Sequence, residues 1–181
     1  MSVTAVETFY GILALVAFAI VTGIVALRLL AVVSEAAADA FDGVAAAISP
    51  NALALGWIVA FLATAGSLYF SEVAHFEPCT LCWYQRIAMY PLVVIFAVAA
   101  ARRETAGALY AAALAGIGAV IAAYHVLLEW FPVLDSGTCD PDNPCTLIWF
   151  RVFGFISLPT LALAAFLLIL TLCLIRLRRS S

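Results

Sequence analysis

The sequence predicts an all-α polytopic membrane protein, on three observations. Of its 181 residues 67% are apolar and only 10% are charged, against roughly 45–50% and about 25% in an ordinary soluble domain. Five apolar stretches each approach or exceed the ~20 residues a helix needs to cross the hydrocarbon core. Those stretches are apolar on every face, whereas barrel strands would alternate over about ten residues. So few ionised side chains cannot cover a soluble fold of this length, which excludes a soluble enzyme and a disordered chain. A net charge of −3 leaves no broad basic surface for nucleic acid.

The stretches follow in order. The first, Phe9 to Val33, is interrupted only by Arg28. No basic residue precedes it and it exceeds a usual signal core, so it reads as a retained helix. Between Ser34 and Ser49, residues Ala37, Phe41, Val44 and Ile48 recur at helical spacing while Glu35, Asp39 and Asp42 fall off that stripe. This segment reads either as a short amphipathic helix at the interface or as an extension of the first helix. Ala52 to Ser71 is the second stretch, without charge. The third starts near Trp83 and runs to Ala101, with Arg86 one turn inside. The fourth is Thr105 to Leu128, with His125 near its end, and the fifth is Val152 to Ile175.

Arginine placement orients the chain, since cytoplasmic loops carry the excess of basic residues. Arg102 and Arg103 follow the third stretch, and Arg176, Arg178 and Arg179 follow the fifth. Both groups are expected in the cytoplasm, with the N-terminus outside. The segments Glu72 to Cys82 and Glu129 to Arg151 then also lie outside.

Those two segments hold four of the five cysteines: Cys79, Cys82, Cys139 and Cys145. Outside the cytoplasm thiols are oxidised and pair. Four cysteines allow three connectivities, of which Cys79 with Cys82 and Cys139 with Cys145 closes the shortest loops. Cys82 falls at a helix start, where free amides and the positive end of the helix dipole favour a thiolate. Arg86 shares a helix face with Cys79 and Cys82. A charge within a span marks function by default, here support of a thiolate or another anion, unless Arg86 only snorkels to the headgroups. Cys139 and Cys145 flank a loop with two prolines and three polar turn formers, so an exposed, mobile disulfide is expected there. His125 lies at the same membrane level as Cys82, while Cys173, in the last stretch, reads as a packing residue.

The run CTLCWYQRIAMYPL at residues 79–92 resembles the quinone-linked membrane proteins of disulfide bond formation, the DsbB type, and most of all its shorter BdbC-like branch. Tyr124 to Glu129, the pair Cys139 and Cys145, and Pro144-Cys145-Thr146 followed by Gly154 to Pro159 match further pieces of that family in order. The likeness spans residues 52–177. It implies a four-helix bundle core, with the first stretch as one extra N-terminal transmembrane helix. Residues 1–50 would then be that helix plus the amphipathic segment, and 51–181 the redox domain.

The resemblance further implies that Cys79 and Cys82 reduce a membrane quinone of the ubiquinone or menaquinone type, with Cys82 at the ring. Arg86 and His125 would be cofactor-binding. Cys139 and Cys145 would take electrons from a DsbA-like thioredoxin-fold partner, Cys139 forming the mixed disulfide. The chain departs from the family in its extra first helix and at Gln85, often Glu there. Three rivals stand beside this reading. A vitamin-K-epoxide-reductase-like protein would carry its loop pair before the Cys-x-x-Cys, the reverse of the order here. Zinc held by the four cysteines is disfavoured by an oxidising compartment and by Arg86, so no metal is expected. The last rival is a membrane protein with two structural disulfides.

Overall fold

The computed structural model describes residues 2–102, 104–135 and 137–179. It is built of α1 (Val3–Leu30), α2 (Glu35–Ile48), α3 (Ala52–Leu68), α4 (Thr80–Arg102), α5 (Ala106–Trp130) and α6 (Leu158–Arg178). Among the described residues the β pairing amounts to two isolated bridges, Asp140 with Asn143 and Val152 with Ile156. Among the described residues, five helical segments are long and apolar enough to cross a membrane: α1, the α2–α3 run, α4, α5 and α6. Arg103, one of the arginines used to orient the chain, lies outside the described residues.

Helices α3 to α6 enclose the main core. Its centre is Leu92 and Phe96 of α4, Phe166 and Ile169 of α6, and the alanines Ala108, Ala111, Ala115 and Ala122 of α5. In lipid the hydrophobic effect does not drive helices together, so close van der Waals packing over small residues takes its place. The fit is tight enough that a Cβ at Gly118 would collide with the ring of Phe166, and one at Gly56 with the ring of Phe96.

Helix α1 lies against α6, where Ala14 and Ala17 pack with Ile156, Ala164, Leu161 and Leu168. Of the two readings of segment 34–49, the separate helix is the one observed. Residues 31–33 form a turn, and Ser34 caps α2 by accepting the Ala37 N–H at 3.4 Å, a standard N-terminal cap. Phe41 and Ala45 of α2 then cover Ile24, Leu27 and Ile175, with the Arg178 guanidinium 4.9 Å from the Phe41 ring centre.

Two helix starts differ from the hydropathy reading. Helix α4 begins at Thr80 rather than near Trp83, which brings Cys82 into its first turn. Helix α6 begins at Leu158 rather than Val152. The intervening residues turn back on themselves, with Phe153 and Gly154 at φ of 54° and 81° and Val152 bridged to Ile156. Pro159 occupies the first turn of α6, where its missing N–H costs nothing. Apolar side chains in that tight turn look helical to hydropathy alone.

Candidate functional site

The site forms where the start of α4, the end of α5 and the loop before α6 converge. Cys79 stands immediately before α4 and caps it. Its carbonyl accepts the Trp83 N–H at 3.1 Å and its sulfur accepts the Cys82 N–H at 3.4 Å. A sulfur in that position meets the free amides and the positive end of the helix dipole. The Cys79 and Cys82 sulfurs lie 2.9 Å apart as free thiols. The hydrogen bond from Cys82 holds the Cys79 thiol well below its ordinary value; burial opposes this, and contact with His125 adds to it.

Cys139 and Cys145 are bonded to each other, with Cα atoms 5.8 Å apart. The expectation of an exposed disulfide is corrected here. Cys139 is 9% exposed and Cys145 1%, packed with Cys79, Leu81 and Leu128. The loop folds down because its polar turn formers satisfy its own backbone and that of the segment just before α4. Asp140 accepts the Asp142 N–H at 2.9 Å, and the Asn143 amide donates to the Pro78 carbonyl at 3.3 Å.

His125, 2% exposed, sits between the two pairs. Its Nε2 is 3.0 Å from the Cys145 carbonyl oxygen and 3.8 Å from the Cys79 sulfur, while its Nδ1 is 3.0 Å from the Gln85 amide nitrogen. With Nδ1 accepting from that amide, Nε2 carries the proton and donates it to the carbonyl. Cys79, Cys82 and His125 also hold ligand-capable atoms within 4.8 Å of one another, whereas the sulfurs of Cys139 and Cys145 are committed to their mutual bond.

Arg86 faces the other way. Its Nε donates to the Ser67 hydroxyl at 3.1 Å and its Nη2 to the Ser67 carbonyl at 3.2 Å, and its guanidinium lies 5.1 Å from the Trp83 ring centre. It lines a largely apolar cavity of about 270 Å³ among α1, α3, α4 and α6, and Cys82 opens into the same space. Cys82 also borders the small void that holds Cys79, His125 and Glu129. Its side chain thus stands between the buried cysteine cluster and the cavity. An apolar chamber with one guanidinium, one thiol and the hydroxyl of Tyr90 along its wall suits a ring with polar oxygens and an apolar tail.

The geometry therefore gathers Cys79, Cys82, Cys139, Cys145 and His125 into one cluster, and sets Arg86 in the adjoining cavity. Three contributors escaped the sequence reading as site residues. Gln85 orients His125, Ser67 holds Arg86, and Glu129, one turn beyond His125, accepts a 2.5 Å hydrogen bond from the Ser157 hydroxyl. Gln85 and Glu129 are polar groups buried near the ends of apolar helices, which is itself a signal of function.

The chain matches the family model described as disulfide bond formation protein DsbB over residues 49–176. It is 47% identical over 130 residues to a probable disulfide formation protein of Oceanobacillus iheyensis, covering 71% of this chain and 90% of that protein. It is 45% identical over 122 residues to disulfide bond formation protein C of Bacillus subtilis, covering 66% and 88%. A probable disulfide formation protein C of Halalkalibacterium halodurans is 41% identical over 129 residues, covering 71% and 94%. No solved structure matches the chain significantly. The chain is a multi-pass membrane protein of disulfide bond formation, and it belongs to the DsbB family.

Proposed function

We propose that this protein oxidises the dithiol of an extracytoplasmic, DsbA-like thioredoxin-fold partner and passes two electrons through its two cysteine pairs to membrane quinone. One observation carries the reading: a bonded loop pair lies against a free thiol pair at the start of α4, and that second pair opens through Cys82 into an apolar cavity.

The steps balance as thiol–disulfide exchange. A partner thiolate attacks the Cys139 sulfur and breaks the Cys139–Cys145 bond, leaving Cys145 as thiolate. The partner's second thiolate then resolves the mixed disulfide, so the partner leaves oxidised and the loop pair reduced. A loop thiolate next attacks the Cys79–Cys82 disulfide, and the other loop thiolate completes the exchange. The product is a bonded loop pair beside free Cys79 and Cys82, the arrangement found here. In the last step the Cys79–Cys82 bond would re-form, and quinone would supply the acceptor that takes the two electrons and two protons.

In that step Cys79 holds negative charge at the helix start and Cys82 faces the acceptor. Arg86 binds and orients a carbonyl oxygen from the cavity wall. His125 carries its proton between the Cys145 carbonyl and the Cys79 sulfur, and so serves the thiols rather than the acceptor. Residues 51–181 act as the redox domain and 1–50 as an added helix with its amphipathic segment. Both pairs lie on the extracytoplasmic side and the C-terminus in the cytoplasm. The position of Arg102 supports this sidedness, since it ends α4 about 30 Å along the helix from Cys82 at 1.5 Å per residue.

The test is quinone reduction by the purified protein with a reduced DsbA-like donor, beside Cys82→Ser and Cys139→Ser. Turnover in the native protein and its loss in both variants is expected. No turnover with several quinones and donors in folded protein sinks the reading, and stoichiometric bound zinc would then favour a metal site at Cys79, Cys82 and His125.

A further inference from the structure

The proposed relay uses no side chain of α1, and the family match begins only at residue 49. Yet α1 supplies one wall of the cavity, through Tyr10, Leu13, Ala14, Ala17 and Ile20. The helix lies closely along α6 and makes scarcely any backbone approach to α3. Its tie to α3 is Tyr10. The Tyr10 hydroxyl donates to the Leu62 carbonyl at 3.1 Å, and its ring lies flush on Gly66, where any Cβ would collide with it. The next residue of α3, Ser67, is the one that holds Arg86. Tyr10 from α1 and Arg86 from α4 thus grip the same stretch of α3, at the Cys82 end of the cavity.

We propose that α1 is the lipid-side wall of the acceptor cavity, latched to α3 by Tyr10, and that the tail of an isoprenoid quinone leaves the cavity between α1 and α3. This rests on the quinone reading above. A quinone has a ring that must reach Cys82 and a tail too long for about 270 Å³, so the tail needs a lateral way out. On the α4–α5–α6 side the fully buried Phe96, Phe166 and Ile169 stand in the way. The α1–α3 side is thinly packed, and the α1 residues along the cavity, Leu13 and Ile20, are apolar. The polar groups Tyr10, Ser67 and Arg86 collect at the ring end, where carbonyl oxygens would lie. The added helix thereby turns a cleft on the bundle surface into a chamber with a slot.

The test uses the full chain in lipid nanodiscs with a photoreactive azidoquinone as probe. Labelling of α1 residues 10–20 that excess unlabelled quinone suppresses is expected. Labelling confined to α3–α6, or α1 labelling that only added phospholipid suppresses, overturns the proposal, the latter assigning the slot to lipid acyl chains. A second arm measures steady-state KM in Leu13→Trp and Tyr10→Phe, each checked for the native thermal transition. Leu13→Trp should raise KM for a long-tailed quinone roughly tenfold, the scale on which an apolar pocket discriminates, and raise it far less for a tail-less one. Unchanged KM for both quinones in both variants overturns the role of α1 and leaves the quinone reading standing. Absence of quinone turnover in the native protein overturns both.

Discussion

His125 places its Nε2 3.0 Å from the carbonyl oxygen of Cys145, and the same nitrogen is 3.8 Å from the sulfur of Cys79. One ring therefore touches both cysteine pairs, and its other nitrogen is held by Gln85. In the proposed relay this puts His125 between the pairs, while Arg86 lines the cavity.

The first prediction concerns pH. Hydrogen bonding from Cys82, aided by His125, holds the folded Cys79 thiol below the ordinary range. A depressed thiol stabilises the reduced folded form fully above the unfolded value of about 8.5. That contribution declines as pH falls toward the depressed value. Ultraviolet thiolate absorbance of the reduced protein should thus persist well below pH 8. His125→Ala should move that titration upward and slow the exchange between the pairs by roughly 10²-fold, the lower end for loss of a proton-transfer group. A titration unmoved by His125→Ala would remove the ring from the path.

Arg86 is fixed by two hydrogen bonds to Ser67 and by the Trp83 face. Lysine keeps the charge but loses the planar fork. Arg86→Lys should raise the quinone KM by about tenfold, equivalent to ~1.4 kcal/mol, while a dithiol donor still reduces the loop pair in a single turnover. Equal damage to both half-reactions would point to a general structural role.

Reducing the Cys139–Cys145 bond separates relay from staple. The loop it closes is short, so chain entropy predicts a stabilisation of only about 2 kcal/mol. Cys139→Ser with Cys145→Ser should shift the thermal midpoint by a few degrees and abolish donor oxidation. A large loss of stability with activity retained would favour a structural disulfide.

The core makes a prediction independent of the chemistry. Gly118 has no room for a side chain beneath Phe166, so Gly118→Leu should destabilise the bundle by about 1–3 kcal/mol through overpacking. Adding Phe166→Ala should recover part of that loss, as measured by denaturation in detergent.

Much of this was legible in the sequence, for definite reasons. Spans such as Ala106–Trp130 announce themselves because burying a charge in lipid is costly. The gathering of four cysteines at one end followed from Arg102, Arg176 and Arg178 marking the other. The start of α6 was not legible, because a turn made of Val152, Phe153 and Phe155 is as apolar as a helix. Nor was the burial of the loop disulfide, since Asn143 reaching Pro78 is a contact between residues far apart in the chain. Hydropathy gave the first helix a length but no neighbour, so its place along the cavity appeared only in three dimensions.

If the loop disulfide is the oxidant of the proposed relay, its docking also sets which reagents can reach it. Cys145 is 1% exposed and Cys139 only 9%, so a small diffusing thiol finds almost no sulfur to strike. A partner protein of the proposed kind, by lifting the loop from Pro78, would gain access that a small diffusing thiol lacks, and would meet Cys139 first. On the proposed relay, shielding by the loop would limit futile leakage of oxidant, and the unequal burial of the two sulfurs would rank them before any difference in acidity matters.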